Sequence, residues 1–217
     1  DEAAIFTIHG FCQRALTETA FAAGQPFERE LLADQQDMLA DVARDAWRKL
    51  MATAVEPWAR WLIGALGGPE GLASRVRSHV GRIDAEILAP DAADPQAAEQ
   101  AFAAAFAMAR LLWQADAAKI CAWLAGAKLH QASYAPEKMQ PRIDWLGQLF
   151  AAESPLFPLP DAVAFFGLDK ITAKRTKTSP QPEHEFFGAV DALLQTAGRL
   201  EAAYENATRR LLHDFLL

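Results

Sequence analysis

The chain has 217 residues and a formal net charge of −7, with 52% hydrophobic and 23% charged residues. This composition is typical of a folded globular protein and excludes an intrinsically disordered chain. The acidic balance excludes a protein that coats nucleic acid through its overall charge, so any nucleic-acid contact must be local.

Two further sequence features bear on the cellular setting. No uncharged apolar run reaches the roughly 18 residues of a membrane-spanning helix. The two cysteines, Cys12 and Cys121, lie far apart in apolar helical contexts, which predicts buried free thiols rather than a disulfide or a reactive pair. A reducing, cytoplasmic setting is the resulting expectation.

The first predicted elements are a short strand over 3–8 and a helix over 9–21. Gly24 and Pro26 then provide a helix stop. Apolar residues at helical spacing predict a second helix from about residue 28 or 34, and Pro57 kinks or restarts it. A shorter helix is expected over 70–79.

The second half of the chain is dominated by a long predicted helix. Residues 81–93 are predicted to be a loop with an extended middle at 83–88, and Asp94-Pro95 is a strong helix start. From there to about residue 125 no helix breaker occurs, which corresponds to a helix of about 45 Å. The remaining predicted elements are a turn over 133–141, a helix over 142–152, a proline-rich connector over 154–160, a short helix over 161–166 and a last helix from about 183.

The predicted fold class is therefore all-α: an irregular multi-helix domain with one long central helix and a vestigial N-terminal strand. Catalytic signatures are missing from the sequence, which has no phosphate-binding glycine loop, no dinucleotide motif and no His-Glu-x-x-His. Glu183-His184-Glu185 is the one dense group of metal-type ligands, but successive helical residues point in different directions. We therefore predict no catalytic, cofactor-binding or metal-binding residues.

A basic segment stands out in this acidic chain. Lys170, Lys174, Arg175 and Lys177 are interleaved with threonines at 172, 176 and 178. Bases and hydroxyls spaced in this way can hold phosphate oxygens, which makes the four cations candidate DNA contacts. The alternative is a solvated loop that precedes a helix.

The second candidate site is the junction between the predicted strand and the first helix. The hydroxyl of Thr7, the ring of His9 and the free amides of a helix start can converge on an anion such as a phosphate. The alternative is that Thr7 simply caps the helix and that His9 is a satisfied polar residue.

The same junction carries a family resemblance, through Ala4-Ile5-Phe6-Thr7-Ile8-His9-Gly10-Phe11-Cys12-Gln13-Arg14 followed by Ala20-Phe21-x-x-Gly24-x-x-Phe27-Glu28. This stretch resembles the RecB family, the beta subunits of exodeoxyribonuclease V, which are superfamily 1 helicase-nucleases of the UvrD type. Its Thr-x-His-Gly element is similar to a helicase motif on the first motor domain that touches single-stranded DNA. Weaker similarity continues at Ile143-Asp144-Trp145, Leu159-Pro160, Lys174-Arg175-Thr176-Lys177 and Phe187-x-x-Val190-Asp191-x-Leu193-Leu194.

The resemblance implies a domain organisation. Residues 1–8 would be the end of a motor-domain strand with the DNA-contact motif, and residues 9–217 a helical insert like subdomain 1B, truncated at both ends. In the family this insert interrupts the first motor domain and helps engage the duplex ahead of the motor. The ATPase and nuclease motifs would lie outside the chain, so ATP and Mg²⁺ are expected for the parent protein, and the chain alone is expected to be inactive.

The resulting hypothesis is a DNA-engaging helical subdomain of an ATP-dependent DNA helicase-nuclease that acts in double-strand-break repair and recombination. Expected partners are DNA at a single-strand/duplex junction and RecC-like and RecD-like subunits, with no membrane. The resemblance carries a single-strand contact onto Thr7 and His9 only, whereas DNA contact by the basic segment is inferred from its charge. The alternatives are a helical protein-protein interaction module without DNA binding and a small enzyme.

Overall fold

The computed structural model describes residues 7–22, 24, 34–82, 88 and 95–216. Its elements in chain order are α1 (Ile8–Glu18), α2 (Gln36–Thr53), α3 (Glu56–Leu66), α4 (Pro69–Val76), α5 (Pro95–Gly126), α6 (Gln131–Tyr134), α7 (Pro136–Ala151), a 3-10 helix (Asp161–Phe166), α8 (Leu168–Ala173) and α9 (Glu185–Leu216). Within the described ranges no β-sheet forms, and one isolated antiparallel bridge joins Leu129 to Arg175. The predicted all-α, multi-helix class is confirmed.

The chain divides into two compact units, residues 1–42 and 43–217, with the boundary inside α2. The smaller unit contains α1, none of whose residues is buried. The predicted strand over 3–8 lies mostly outside the described residues, and at Ile8 it is wrong because Ile8 is the first residue of α1. The prediction of a buried thiol is also wrong for Cys12, which is exposed, while Cys121 is half-buried.

The core of the larger unit lies between α5 and α9, which are 32 residues long each. Both helices turn large apolar residues inward at intervals of three and four, the spacing that keeps side chains on one helix face. The main buried residues are Phe102, Phe106, Trp113, Ile120 and Leu124 on α5, and Phe186, Phe187, Val190, Leu193, Leu200 and Tyr204 on α9. Burying one such side chain stabilises the fold by about 1.5–3 kcal/mol, so this pair of helices supplies much of the stability.

The predicted restart of the helix at Pro57 agrees with the structure, in which α3 spans Glu56–Leu66. The helix α2 ends at Thr53, and Val55 is extended (φ −71°, ψ 156°) before α3 begins with Pro57 in its first turn. Proline is tolerated there because the first amides of a helix have no intrahelical partner. Gly67 ends α3 in the left-handed region (φ 72°), where its N–H donates to the carbonyl of Ile63.

The predicted turn over 133–141 and the predicted start of the next helix at 142 are wrong. Instead, α7 begins at Pro136 and contains Pro141. A proline at this place removes only the hydrogen bond to the carbonyl of Glu137, and both residues are exposed, so water can satisfy that carbonyl. Similarly, residues 170–173 of the basic segment are not a loop but belong to α8.

Candidate nucleic-acid interface

Thr7 and His9 lie at the start of α1, and both are exposed. Thr7 is the N-cap of α1 in an extended conformation (φ −65°, ψ 158°), and its hydroxyl oxygen accepts a hydrogen bond from the N–H of Gly10 at 3.2 Å. The carbonyl of Thr7 accepts from the N–H of Phe11 at 2.9 Å. Thr7 therefore caps the helix through its hydroxyl oxygen, as the alternative interpretation expects. The same hydroxyl can still donate its proton to an anion.

Lys170 lies on α8, and an aromatic ring holds its ammonium group. The Nζ atom is 3.9 Å from the ring centroid of Phe165, and the guanidinium carbon of Arg142 is 3.6 Å from the same centroid. The negative face of an aromatic ring attracts cations, and the contact strengthens as water is removed. Lys170 is half-buried. Its ammonium group therefore helps to pack α8 against Phe165 and is less available to a ligand at the surface.

A half-buried carboxylate, that of Asp191, fixes the start of α8. The Oδ2 atom of Asp191 accepts a hydrogen bond from the N–H of Asp169 at 2.9 Å. Burial raises the pKa of Asp191 above its ordinary value, although hydrogen bonds from the backbone of Asp169 and Leu168 oppose the rise. Gly167 makes this approach possible, because a Cβ at that position would lie within 2.2 Å of Asp191 Oδ1.

Arg175 lies in the basic segment and bonds to the turn over residues 177–181. Its guanidinium donates to the side-chain oxygen of Gln181 and to the carbonyl of Ser179, the latter at 2.8 Å. The carbonyl of Gln181 in turn accepts from the indole N–H of Trp123 at 3.1 Å. Arg175 Nε and Ser179 Oγ are buried without a hydrogen-bond partner among the described residues. Arg175 therefore organises the turn, and its guanidinium is not a free surface cation.

The isolated bridge between Leu129 and Arg175 brings a second segment alongside the basic one. The flanking backbone hydrogen bonds run from the N–H of His130 to the carbonyl of Lys174 (2.9 Å) and from the N–H of Thr176 to the carbonyl of Lys128 (3.0 Å). Lys128, His130, Lys174, Thr176 and Lys177 are all exposed. We call these five exposed residues, which belong to the two paired segments and the residue that follows them, the basic face.

The structure thus divides the four cations predicted from sequence. Lys174 and Lys177 are exposed on the basic face, whereas Lys170 and Arg175 are committed to packing and to the turn. Sequence reasoning missed Lys128, because α6, α7, the 3-10 helix and α8 separate it in the chain from its pairing partner, and because it follows a nearly uncharged stretch of α5. No local signal in the sequence points to its pairing with residue 176.

The segment Glu183-His184-Glu185 has a structural role. His184 Nδ1 accepts from the N–H of Phe186 at 3.1 Å, and Nε2 lies 3.3 Å from Oδ2 of Asp116. Asp116 interrupts the helical geometry of α5 (φ −134°, ψ 24°) and contacts Lys119 at 2.5 Å. The hydrogen bond from Lys119, and next that from His184, lower the pKa of Asp116 below its ordinary value. This cluster joins the kink of α5 to the start of α9.

Two features are absent from the described part of the chain. No group of three or more His, Cys, Asp or Glu side chains could hold a metal ion there. No described helix is long and apolar enough to cross a membrane.

The class that this architecture defines is an irregular all-α domain with a small, locally basic face on an acidic chain. In sequence the chain is similar to the RecBCD enzyme subunit RecB of Escherichia coli K12, with 26% identity over 197 residues, which is 89% of the chain. It is also 37% identical over 82 residues, or 38% of the chain, to the same subunit of Haemophilus influenzae. The resemblance to RecB predicted from the sequence is confirmed.

The matched region is a small part of these relatives. The chain spans 17% of the length of the E. coli protein, and the match to the H. influenzae protein covers 7% of that protein. No family model matches the chain.

Proposed function

We propose that the chain is a DNA-engaging helical subdomain, similar in role to subdomain 1B, of an ATP-dependent DNA helicase-nuclease of the exodeoxyribonuclease V beta-subunit type. Such a protein would act in the cytoplasm in double-strand-break repair and recombination. ATP and Mg²⁺ would serve the motor and nuclease domains of the parent protein, not the described residues.

The observation that carries this proposal is the exposure of Lys174 and Lys177 on one basic face in a chain of net charge −7. A local positive charge attracts a polyanion, and the acidic residues elsewhere on the chain repel it. A polyanion is therefore favoured at the basic face. Similarity to RecB over most of the chain supports DNA as the polyanion. By the same resemblance, the hydroxyl of Thr7 and the ring of His9 would contact single-stranded DNA.

The test is the salt dependence of binding to a fluorescent forked DNA, measured by anisotropy. Each phosphate contact contributes about 0.9 to the slope of log affinity against log salt concentration on duplex DNA. A Lys174→Ala/Lys177→Ala variant should therefore lose about 1.8 of that slope. The matched control, Lys49→Ala/Arg209→Ala, removes two exposed cations from α2 and α9 and should keep the wild-type slope.

Two results would contradict the proposal. One is the absence of any anisotropy change at low salt with the folded wild-type chain. The other is an equal loss of slope in both double variants, because that result would mean that only overall charge matters.

A second candidate function, a protein-interaction module, is favoured by the outer side of α5. Nine exposed apolar residues follow one another there at intervals of three and four: Ala97, Ala101, Ala104, Met108, Leu111, Ala115, Ala118, Ala122 and Ala125. Met108 and Leu111 are 53% and 61% exposed, and Lys119 is the one exposed charged residue of this helix. Such spacing fits a partner helix with an apolar heptad repeat. The relatives are named as subunits of an enzyme complex, so we propose a RecC-like or RecD-like subunit as the source of that helix.

Co-purification after co-expression with such a subunit tests this candidate. A Met108→Glu/Leu111→Glu variant should lose the partner while it keeps its helical circular dichroism, because both side chains are exposed. The control, Val55→Glu/Ile63→Glu, changes two equally exposed apolar residues at α3 and should retain the partner. If both variants retain it, the outer side of α5 is not the docking surface.

A further inference from the structure

The bridge between Leu129 and Arg175 creates an arrangement that neither segment has alone. In antiparallel pairing, residue 128 lies opposite 176 and residue 130 lies opposite 174, as the two flanking backbone hydrogen bonds require. Residues that lie opposite each other across such a pairing have Cα atoms about 4.5–5.5 Å apart. Four side chains from two distant parts of the chain therefore form one small array.

The exposure of the paired residues divides them into two groups. Leu129 is buried and Arg175 is half-buried, so these two residues face inward. Lys128, His130, Lys174 and Thr176 form the second group, and all four are exposed. The two backbone hydrogen bonds bring Lys128 next to Thr176, and Lys174 next to His130.

The inward side chains hold this array in place. Leu129 packs in the core, and the guanidinium of Arg175 bonds to Ser179 and Gln181. His130 accepts backbone hydrogen bonds from Ser133 and Tyr134 at the start of α6. Both segments are thus anchored on their buried side, which reduces the entropy lost when a ligand binds the exposed side.

We infer that Lys128 is a phosphate contact of the same DNA site as Lys174, and that Arg175 is a positioning residue which holds the two segments together. This inference rests on the proposed DNA-engaging function. The ligand chemistry is the phosphodiester backbone, because lysine ammonium groups act as point charges and the threonine hydroxyl can donate to a phosphate oxygen. The array has no Phe, Tyr or Trp on which a base could stack.

Single variants of the full chain test this assignment in the same forked-DNA titration. Lys128→Ala should lower the salt slope by about 0.9, as Lys174→Ala should. Lys128→Arg keeps the charge and should restore the wild-type slope. Lys49→Ala is the control, since it removes an equally exposed lysine from α2.

Arg175→Lys separates positioning from charge. This variant keeps the positive charge, but one ammonium group cannot reproduce the planar fork that bonds two acceptors. DNA affinity should therefore fall at least threefold, and circular dichroism should show an unchanged helix content. Wild-type affinity in Arg175→Lys would overturn the positioning role.

The failure of this inference is distinguishable from failure of the proposed function. If the wild type binds and Lys174→Ala loses slope while Lys128→Ala does not, Lys128 is not part of the site and the proposed function stands. If the wild type does not bind DNA at low salt, both are overturned.

Discussion

The basic segment around α8 and the first helix, α1, were both selected from the sequence as DNA contacts, and the structure treats them differently. In the basic segment, two of the four cations make internal contacts: Lys170 with an aromatic ring, and Arg175 with the turn that ends at residue 181. In α1 no residue is buried, and Thr7 makes only a local cap. The comparison teaches that cations in a packed region must be divided into structural and exposed charges. In a helix without buried residues, the structure adds only the local cap to what the sequence motif already indicates.

The largest expected effect is a difference in the free energy of unfolding between variants of a bonded cation, Arg175, and an exposed cation, Lys174. Arg175→Ala removes the donors to Ser179 and Gln181 and should lower the free energy of unfolding by about 1–3 kcal/mol. Lys174→Ala removes an exposed side chain and should change it by less than about 0.5 kcal/mol. Urea denaturation of both variants measures the difference, and equal effects would remove the distinction between built-in and exposed charges.

The next effect tests the attachment of α8. Gly167→Ala would push Asp191 away from the start of α8, because the new Cβ would fall 2.2 Å from its Oδ1 atom. Loss of this capping bond should cost about 1 kcal/mol of stability. Gly198→Ala is the matched control: it lies inside α9 with open space around the added Cβ, and it should gain about 0.5–1 kcal/mol. A stabilised Gly167→Ala would mean that Asp191 does not hold α8.

A smaller and more local effect is expected in α1. Thr7→Ala removes the cap to Gly10, which is worth about 1 kcal/mol to the helix. Because no residue of α1 is buried, the loss should appear as faster amide hydrogen exchange in the first turn and not as a lower global melting temperature. Thr7→Ser keeps an oxygen acceptor and should retain slow exchange. A change in global melting would show that α1 is coupled to the core.

The smallest effect is a pH dependence at Asp191. Burial raises its pKa in the folded state, so the folded protein holds a proton that the unfolded chain has released. The resulting stabilisation is present below the ordinary pKa of Asp, near 4, and is lost as the pH rises through the folded-state value. Asp191→Asn keeps an acceptor for the N–H of Asp169 and should flatten this part of the curve of unfolding free energy against pH. An unchanged curve would exclude Asp191 as its source.

Much of the helical architecture follows from the chain itself. The uninterrupted stretch from Pro95 and the apolar spacing of the last thirty or so residues predict α5 and α9 to within about two residues, because helical periodicity and Pro or Gly stops are local signals. The start of α7 was missed because Pro141 has the features of a stop, and only the exposure of its surroundings makes it tolerable inside a helix.

The candidate site was less predictable than the fold. Charge alone identified Lys174 and Lys177, but it could not separate them from Lys170 and Arg175, because that separation depends on a ring and a turn elsewhere in the fold. Lys128 had no signal at all, since its relation to the basic segment is a single backbone pairing between distant residues.

The sequence by itself determined the all-α class, the two long helices, the resemblance to RecB and the existence of a local positive charge, because composition, periodicity and motifs are properties of neighbouring residues. Only the tertiary structure decided which cations are exposed and that Lys128 joins them. The physical reason is that burial and hydrogen bonding of each cation depend on segments that are distant in the chain, and the pairing partner of a segment is not specified by the residues next to it.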